Sequence, residues 1–505
     1  MNSRNQDLAA AGNYNGFRLF NISDPENPVE VANFRCRGPQ NDVSFYQAQN
    51  RLLLIQSIDR PQTHSGEEAP NACALSADTP VSSTAEGPRF SPGFEGLRVF
   101  DVTRPKTPVL IAAVPTACGS HTHTTIPDKD DQRAIIYVSS YPIGASQTPT
   151  GADFGGPRCV QPHARISIVE IPDKEPEAAR VLKEQLLDAD TKPFRGTTGS
   201  GGTGAVGCHD ITVLTEASQS PESNPRPRRE TAAAACLEEG QLWDISDPAN
   251  PTTTGPSHSH IYNPAITPAN PVAGGLFHTA SFTWDGEVIL FTDEWQGGGG
   301  HGCDGPEDTR GNVWFYKAVP PGTPNVPLYG RYMMPRPQPA NEICTLHNGN
   351  VIPTNDGYFG VSSSYEGGTS VFDFTGVEEN PEIPSPEHGQ PFTTTPPLVA
   401  REVAWADMQS ADGRTRDDTW SSYWFNDYIW VNGGLDRAAG GSGTPTQRGF
   451  DVFKILLPRG KDLGDVTGPN DRYTQQYRAR KHHHMNPQTQ EVFQGTGWGQ
   501  GDQSG

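Results

Sequence analysis

Long amphipathic helices are nearly absent from this chain of 505 residues, where 54 glycines and 47 prolines break up the sequence. Only 34% of residues are hydrophobic, and no apolar run approaches the roughly 20 residues that a membrane-spanning helix needs. Basic charge is also scarce. Lys and Arg total 38 against 59 Asp and Glu, which leaves a net charge of −21. Such a balance argues against nucleic acid and anionic membrane surfaces as partners. Protein partners, or further copies of the chain, remain open. Several catalytic signatures are missing too: there is no GxSxG, no Walker motif and no CxxC. Met1–Ala10 (MNSRNQDLAA) is not a signal peptide, so the chain reads either as cytosolic or as a form lacking its leader. What is left is a succession of short β-rich runs divided by turn residues, the pattern of an all-β architecture.

Those runs repeat. GFRLFNISDPENPVEVANF (Gly16–Phe34) matches GLRVFDVTRPKTPVLIAAV (Gly96–Val114), and GQLWDISDPANP (Gly240–Pro251) repeats its core. Looser copies begin at Ala164, Gly311, Gly367 and Gly449. Each is a strand of alternating apolar residues followed by Asp/Pro/Asn turn chemistry, and the fuller copies add a second strand. A different two-strand unit precedes most of them, beginning at Asn41, His121, His209, His278, His347 and Trp420. Together the two units supply four antiparallel strands, a to d, which is one blade of a β-propeller. The repeats are spaced roughly 70–90 residues apart, against about 40–45 for a compact blade, and long loops take up the excess. Six a-strands and seven c-strands predict seven blades with an incomplete first one. Six blades closed by the N-terminal strands is the alternative. Residues 1–460 are expected to form the propeller and residues 461–505 a polar tail.

The stretches LRVFDV, LWDISDPANP and NISDPENP resemble the LVIVD-repeat proteins. The likeness runs from about Gly12 to Ile455, and is strongest to long secreted members that carry GSHTHT, GCHDIT and LHNG, all present here. It implies a propeller-like fold and an extracellular or surface-associated bacterial protein. It implies little about activity.

The eight cysteines fit the blade order. Cys36, Cys118 and Cys208 each precede an a-strand, while Cys73, Cys159 and Cys236 each fall in the following b–c segment. In a propeller those positions share a face, so the expected pairs are Cys36–Cys73, Cys118–Cys159 and Cys208–Cys236. The same reasoning joins Cys303 to Cys344 across neighbouring blades. Disulfides of this kind point to an oxidising compartment, secreted or at the cell surface.

Histidines recur at the blade starts. His121, His123, His209, His278 and His347 open a-strands, which line the central channel of a propeller. His121 and His123 are expected to share one face by strand alternation. Imidazoles converging from several strands suit Zn, Cu or Fe with an open coordination position. Asp42, Asp210 and Glu294 are the expected carboxylates for orienting such ligands. Against this, His-Asp pairs at strand starts also serve as plain hydrogen bonds between blades. Surface calcium is a further expectation from the acidity, and KHHHM at Lys481–Met485 reads as an exposed tract with incidental metal affinity. Two functions follow. One is an extracellular propeller acting in binding or assembly. The other is a metal-dependent enzyme, an oxidoreductase or hydrolase.

Overall fold

The structure is a computed structural model, and it describes residues 7–36, 41–59, 94–128, 131–141, 163–188, 207–215, 230–237, 239–265, 275–298, 305, 307–336, 338–339, 342–352, 357–385, 392 and 394–407, with short pieces between 415 and 494. It is all-β: a seven-bladed β-propeller of antiparallel sheets, in which short 3-10 turns are the only helical segments among the described residues. The chain divides into two compact units. The first comprises Met1–Ile211 with Asp244–Gly255, and the second Thr212–Trp243 with Pro256–Gly495.

Three sheets build the first unit. The first holds β1 (Leu8–Asn13), β2 (Gly16–Asn21) and β3 (Val29–Arg35). Next come β4 (Val43–Ala48), β5 (Arg51–Ile58), β6 (Gly96–Asp101) and β7 (Val109–Pro115), each paired with the next. The third is β8 (Thr122–Asp128), β9 (Arg133–Ser139), β10 (Arg165–Pro172) and β11 (Arg180–Leu186). Strand β5 shows why its sequence, RLLLIQSI, is apolar on both faces. Leu53 and Ile55 pack with Val99, Ile136 and Val169, while Leu52 and Leu54 pack with Phe17, Leu19 and Phe100. Alternating side chains thus serve two neighbouring sheets at once, so an interior blade tolerates no polar face along its middle.

The second unit carries most of the remaining blades, the boundary falling within the first of its strands, between Ile211 and Thr212. Its sheets are β12 (Asp210–Leu214), β13 (Thr231–Cys236), β14 (Glu239–Asp244) and β15 (His258–Tyr262), then β16 (Phe277–Phe282), β17 (Val288–Asp293), β18 (Val313–Lys317) and β19 (Leu328–Tyr332). After them come β20 (Gly349–Ile352), β21 (Phe359–Ser363), β22 (Thr369–Asp373) and β23 (Arg401–Ala406). The short β24 (Thr415–Arg416) precedes the last blade, which holds β25 (Thr419–Phe425) and β26 (Tyr428–Gly433). Then follow β27 (Leu435–Ala438), β28 (Thr446–Gln447) and β29 (Phe450–Phe453), the last of which pairs with β26. Beyond these lie the hairpins β30 (Leu456–Leu457) with β31 (Lys461–Asp462), and β32 (His483–Met485) with β33 (Val492–Gln494).

The blade count matches the sequence reading. Six a-strands (β4, β8, β12, β16, β20, β25) accompany seven c-strands (β2, β6, β10, β14, β18, β22, β29). The first sheet has no a-strand and the last no d-strand among the described residues, and the six-bladed alternative falls. The recurrent Asp-Pro turns work as their chemistry dictates. Asp24 and Asp247 each accept a hydrogen bond from the backbone N–H two residues on, at 3.1 and 3.0 Å. A glycine opens the c-strand for a steric reason. Gly16 and Gly96 sit at φ +140° and +137°, and an added Cβ would lie 2.0 and 2.2 Å from the carbonyl oxygens of Phe34 and Val114 on the facing d-strand.

A polar ladder ties adjacent a-strands together inside each unit. In the first, Ser44 Oγ meets Thr125 Oγ1 at 2.8 Å, Thr122 Oγ1 donates to the His209 carbonyl at 2.6 Å, and Thr124 Oγ1 donates to the Ile211 carbonyl. In the second, Thr212 Oγ1 donates to the Ala280 carbonyl at 2.6 Å and Ser281 Oγ to the Gly349 carbonyl at 3.3 Å. Small hydroxyl residues at alternate positions of THTTI, HDITVL and HTASF are the sequence trace of this ladder.

Candidate functional site: buried histidines at the strand starts

All five predicted histidines are buried, His347 being the most exposed at 7%. The first unit brings His121 to His209 and holds His123 on other partners, and the second brings His278 to His347. These two groups are considered in turn.

In the first unit His121 is held by Asp59. Its Nδ1–H donates to Asp59 Oδ2 at 3.2 Å, so its Nε2 carries the lone pair. That nitrogen lies 2.8 Å from His209 Nε2 and 3.3 Å from the Tyr141 hydroxyl. One proton is shared between the two imidazoles, because two bare lone pairs at this distance would repel. The result is a carboxylate–imidazole–imidazole relay. Tyr141 stacks on His209 with ring centroids 5.8 Å apart.

His123 is engaged by other groups than His121, although both meet residues at the end of β5, Ser57 and Asp59. His123 meets Ser44 Oγ at 2.7 Å through Nε2, and Ser57 Oγ at 2.8 Å through Nδ1. Asp42 Oδ2 lies 3.0 Å from the same Nδ1 and accepts the His123 backbone N–H. Both ring nitrogens are engaged by protein groups, which makes this imidazole a cross-blade tie. Asp210 does not contact an imidazole; it accepts from the Ile211 N–H at 2.9 Å and from Thr122 Oγ1 at 3.2 Å. Burial, reinforced by the nearby Asp42, pushes its carboxyl up to about 7.

In the second unit Glu294 stands between two histidines. His278 Nε2 is 3.9 Å from Glu294 Oε2, and His347 Nε2 is 3.8 Å from Glu294 Oε1. The imidazole rings have centroids 4.0 Å apart. His347 donates its Nδ1–H to the Trp420 carbonyl at 2.6 Å, which fixes the tautomer and leaves the Nε2 lone pair facing Glu294. Tyr365 donates its hydroxyl to Glu294 Oε1 and meets His347 edge-on at 5.1 Å, while Trp420 stacks on His347 at 5.2 Å. Burial pushes the Glu294 carboxyl up to about 8, and its neighbour Asp293 adds to this, against the Tyr365 hydrogen bond. A buried carboxyl raised in this way beside two imidazoles would be stabilised as its anion by a cation.

Sequence reasoning missed Asp59, Tyr141, Tyr365 and Trp420. Three of these share a place in the repeat: Asp59 follows β5, Tyr141 follows β9 and Tyr365 follows β21, as Glu294 follows β17. The b-strand end faces the start of an a-strand, so whatever stands there meets the histidine. The recurrence of VSSY at Val138–Tyr141 and VSSSY at Val361–Tyr365 was the available signal. The expected cysteine chemistry is partly visible. Cys36, Cys118, Cys208, Cys236 and Cys344 are all disulfide-bonded. Cys73, Cys159 and Cys303 lie outside the described residues, as do the pairings that involve them.

No known family model matches the chain, and no curated protein matches it in sequence. Its structure is similar to that of a functionally unknown protein from Desulfotomaculum acetoxidans DSM 771, with a TM-score of 0.39 and 9% identity, covering 80% of this chain and 88% of that one. It is also similar to Raptor from Chaetomium thermophilum, with a TM-score of 0.38 and 9% identity over 85% of this chain. The chain spans 26% of the Raptor chain. At these values neither likeness bears on function.

Proposed function

We propose that this chain is an extracellular or cell-surface propeller of the LVIVD-repeat kind that holds a transition metal at its buried histidines. The observation that carries the reading is the group of His278, His347 and Glu294. Two imidazoles and one carboxylate form a recognised donor set for Zn or Fe, and imidazole also suits Cu. Metal–nitrogen distances of about 2.0–2.1 Å put neighbouring donors roughly 3.0–3.4 Å apart, so each imidazole, His278 at 3.9 Å from Oε2 and His347 at 3.8 Å from Oε1, needs a shift of about half an ångström toward its own oxygen of Glu294. The His347–Trp420 hydrogen bond is the outer-shell support that ligating histidines use. A cation there would draw the proton from Glu294 and become the carboxylate's counter-charge. Asp59 orients His121 in the same manner, so His121 and His209 are further candidate ligands. His123 is left out, because both of its nitrogens are engaged. The disulfide-bonded cysteines support a site of action outside the reducing cytosol.

Elemental analysis of untagged protein, prepared without a nickel column, tests this. About one Zn, Cu or Fe per chain is expected, falling at least tenfold in His278→Ala/His347→Ala. Wild-type protein with less than about 0.1 ion per chain, and a melting temperature indifferent to chelator, would overturn it. A second reading, a scaffold for a protein partner or for copies of itself, is favoured by apolar residues bared on outer strands. Val29, Val109, Leu186 and Trp405 are 57%, 56%, 58% and 59% exposed on β3, β7, β11 and β23.

A further inference from the structure

The relay seen at Asp59, His121 and His209 recurs where no a-strand is involved. On β14 and β15, Glu239, Gln241 and Trp243 share one face with His258, His260 and Tyr262 across the strand pair. His260 donates its Nδ1–H to Glu239 Oε2 at 2.9 Å. Its Nε2 then lies 2.9 Å from His258 Nε2. Glu239 is fully buried, and its other oxygen accepts from Gln241 Nε2 at 2.7 Å. Gln241 Oε1 in turn accepts the Trp243 indole N–H at 2.8 Å. The carboxylate is therefore fixed from behind, and it fixes the imidazole in front of it. His260 keeps 22% of its side chain exposed, unlike the histidines at the a-strand starts.

We infer that His258 and His260 form a second, solvent-accessible site for Zn²⁺ or Cu²⁺, with Glu239 as its positioning residue. Residues i and i+2 of a strand project from the same face, so the motif His-Ser-His delivers two imidazoles side by side. Glu239 sets the His260 tautomer that leaves Nε2 as a donor, the arrangement that supports metal-bound histidines. In the metal-free protein one proton bridges the two Nε2 atoms. A metal ion replaces that proton, and the two nitrogens need move apart by only about half an ångström to reach the spacing of adjacent ligands. Water completes the shell on the exposed side, so the ion exchanges freely and binds more weakly than in a closed cage. This inference does not depend on the buried histidines. It uses other residues on another strand, and it can hold if that site proves empty.

The test is calorimetric titration of the full chain with Zn²⁺, with His482, His483 and His484 replaced by alanine so that the tail tract is silent. Metal bound in the protein as purified is counted beforehand. His258→Ala and His260→Ala are each expected to weaken a zinc site at least tenfold. Glu239→Gln, which leaves both ligands in place, is expected to weaken it 10- to 100-fold with the circular dichroism spectrum unchanged. His278→Ala/His347→Ala should leave this site intact. Zinc affinity unchanged within twofold in both histidine variants would overturn the inference. Loss in the histidine variants without loss in folded Glu239→Gln would remove the role given to Glu239.

Discussion

Glu294 is the residue on which the most chemistry converges, and its protonation makes a test of its own. Of the carboxyls that burial holds above their ordinary range, Glu95, Asp210 and Asp293 stand at about 7 and Glu294 at about 8. In the unfolded chain such groups ionise near 4. Their contribution to stability is whole below that pH and is lost as pH climbs through 7 to 8. His163 pulls the other way. Burial, and then Arg165, lower it to about 4, so its share is present above about 6.5 and lost in acid. The metal-free protein is therefore expected to melt at progressively lower temperature from pH 6.5 to 8.5, and Glu294→Gln should flatten part of that slope. Differential scanning calorimetry reads both effects, and a melting temperature that rises over this range would contradict the assignment.

Strands explain how much could be read in advance. The c-strand copies GFRLFN and GLRVFD, with their glycine and their Asp-Pro turns, were legible because one residue type answers one local constraint. At Gly96, for instance, φ of +137° and the Val114 carbonyl 2.2 Å from an added Cβ admit only glycine. Gly96→Ala is expected to cost at least about 2 kcal/mol in urea unfolding, while Gly255→Ala, with nothing within 4 Å, should cost less. The histidines were legible for the same reason, since each opens a repeat. Their partners were not. Asp59 is separated from His121 by β6 and β7, and Tyr141 by the β8–β9 hairpin, so only the blade register shows that the ends of b-strands meet the starts of a-strands.

At the scale of the whole molecule, loop length and cysteine placement go together. Residues 60–93 and 142–162 intervene between b- and c-strands, and the entropy of closing such loops is what a disulfide removes from the unfolded chain. Reduction under otherwise native conditions is thus expected to lower stability by about 3 kcal/mol or more per bond, read as a drop in the denaturant midpoint. Peptide mapping of the oxidised protein should recover Cys208 linked to Cys236, the pair predicted from blade order. An unchanged midpoint after full reduction would count against the stapling role. Fold class and blade number were readable from the repeat. Which donors can reach one ion was not, because that depends on side-chain directions that no spacing encodes.

The hydroxyl ladder between a-strands has one more consequence. Thr124, Thr212 and Ser281 donate to main-chain carbonyls, and Thr122 does so while also reaching the Asp210 carboxyl. Every residue type presents that acceptor, so a blade can drift in sequence without its neighbour having to follow. Only the donor must be kept. An interlock written this way lets one copy change its sequence while its neighbours within the same unit keep their bonds to it.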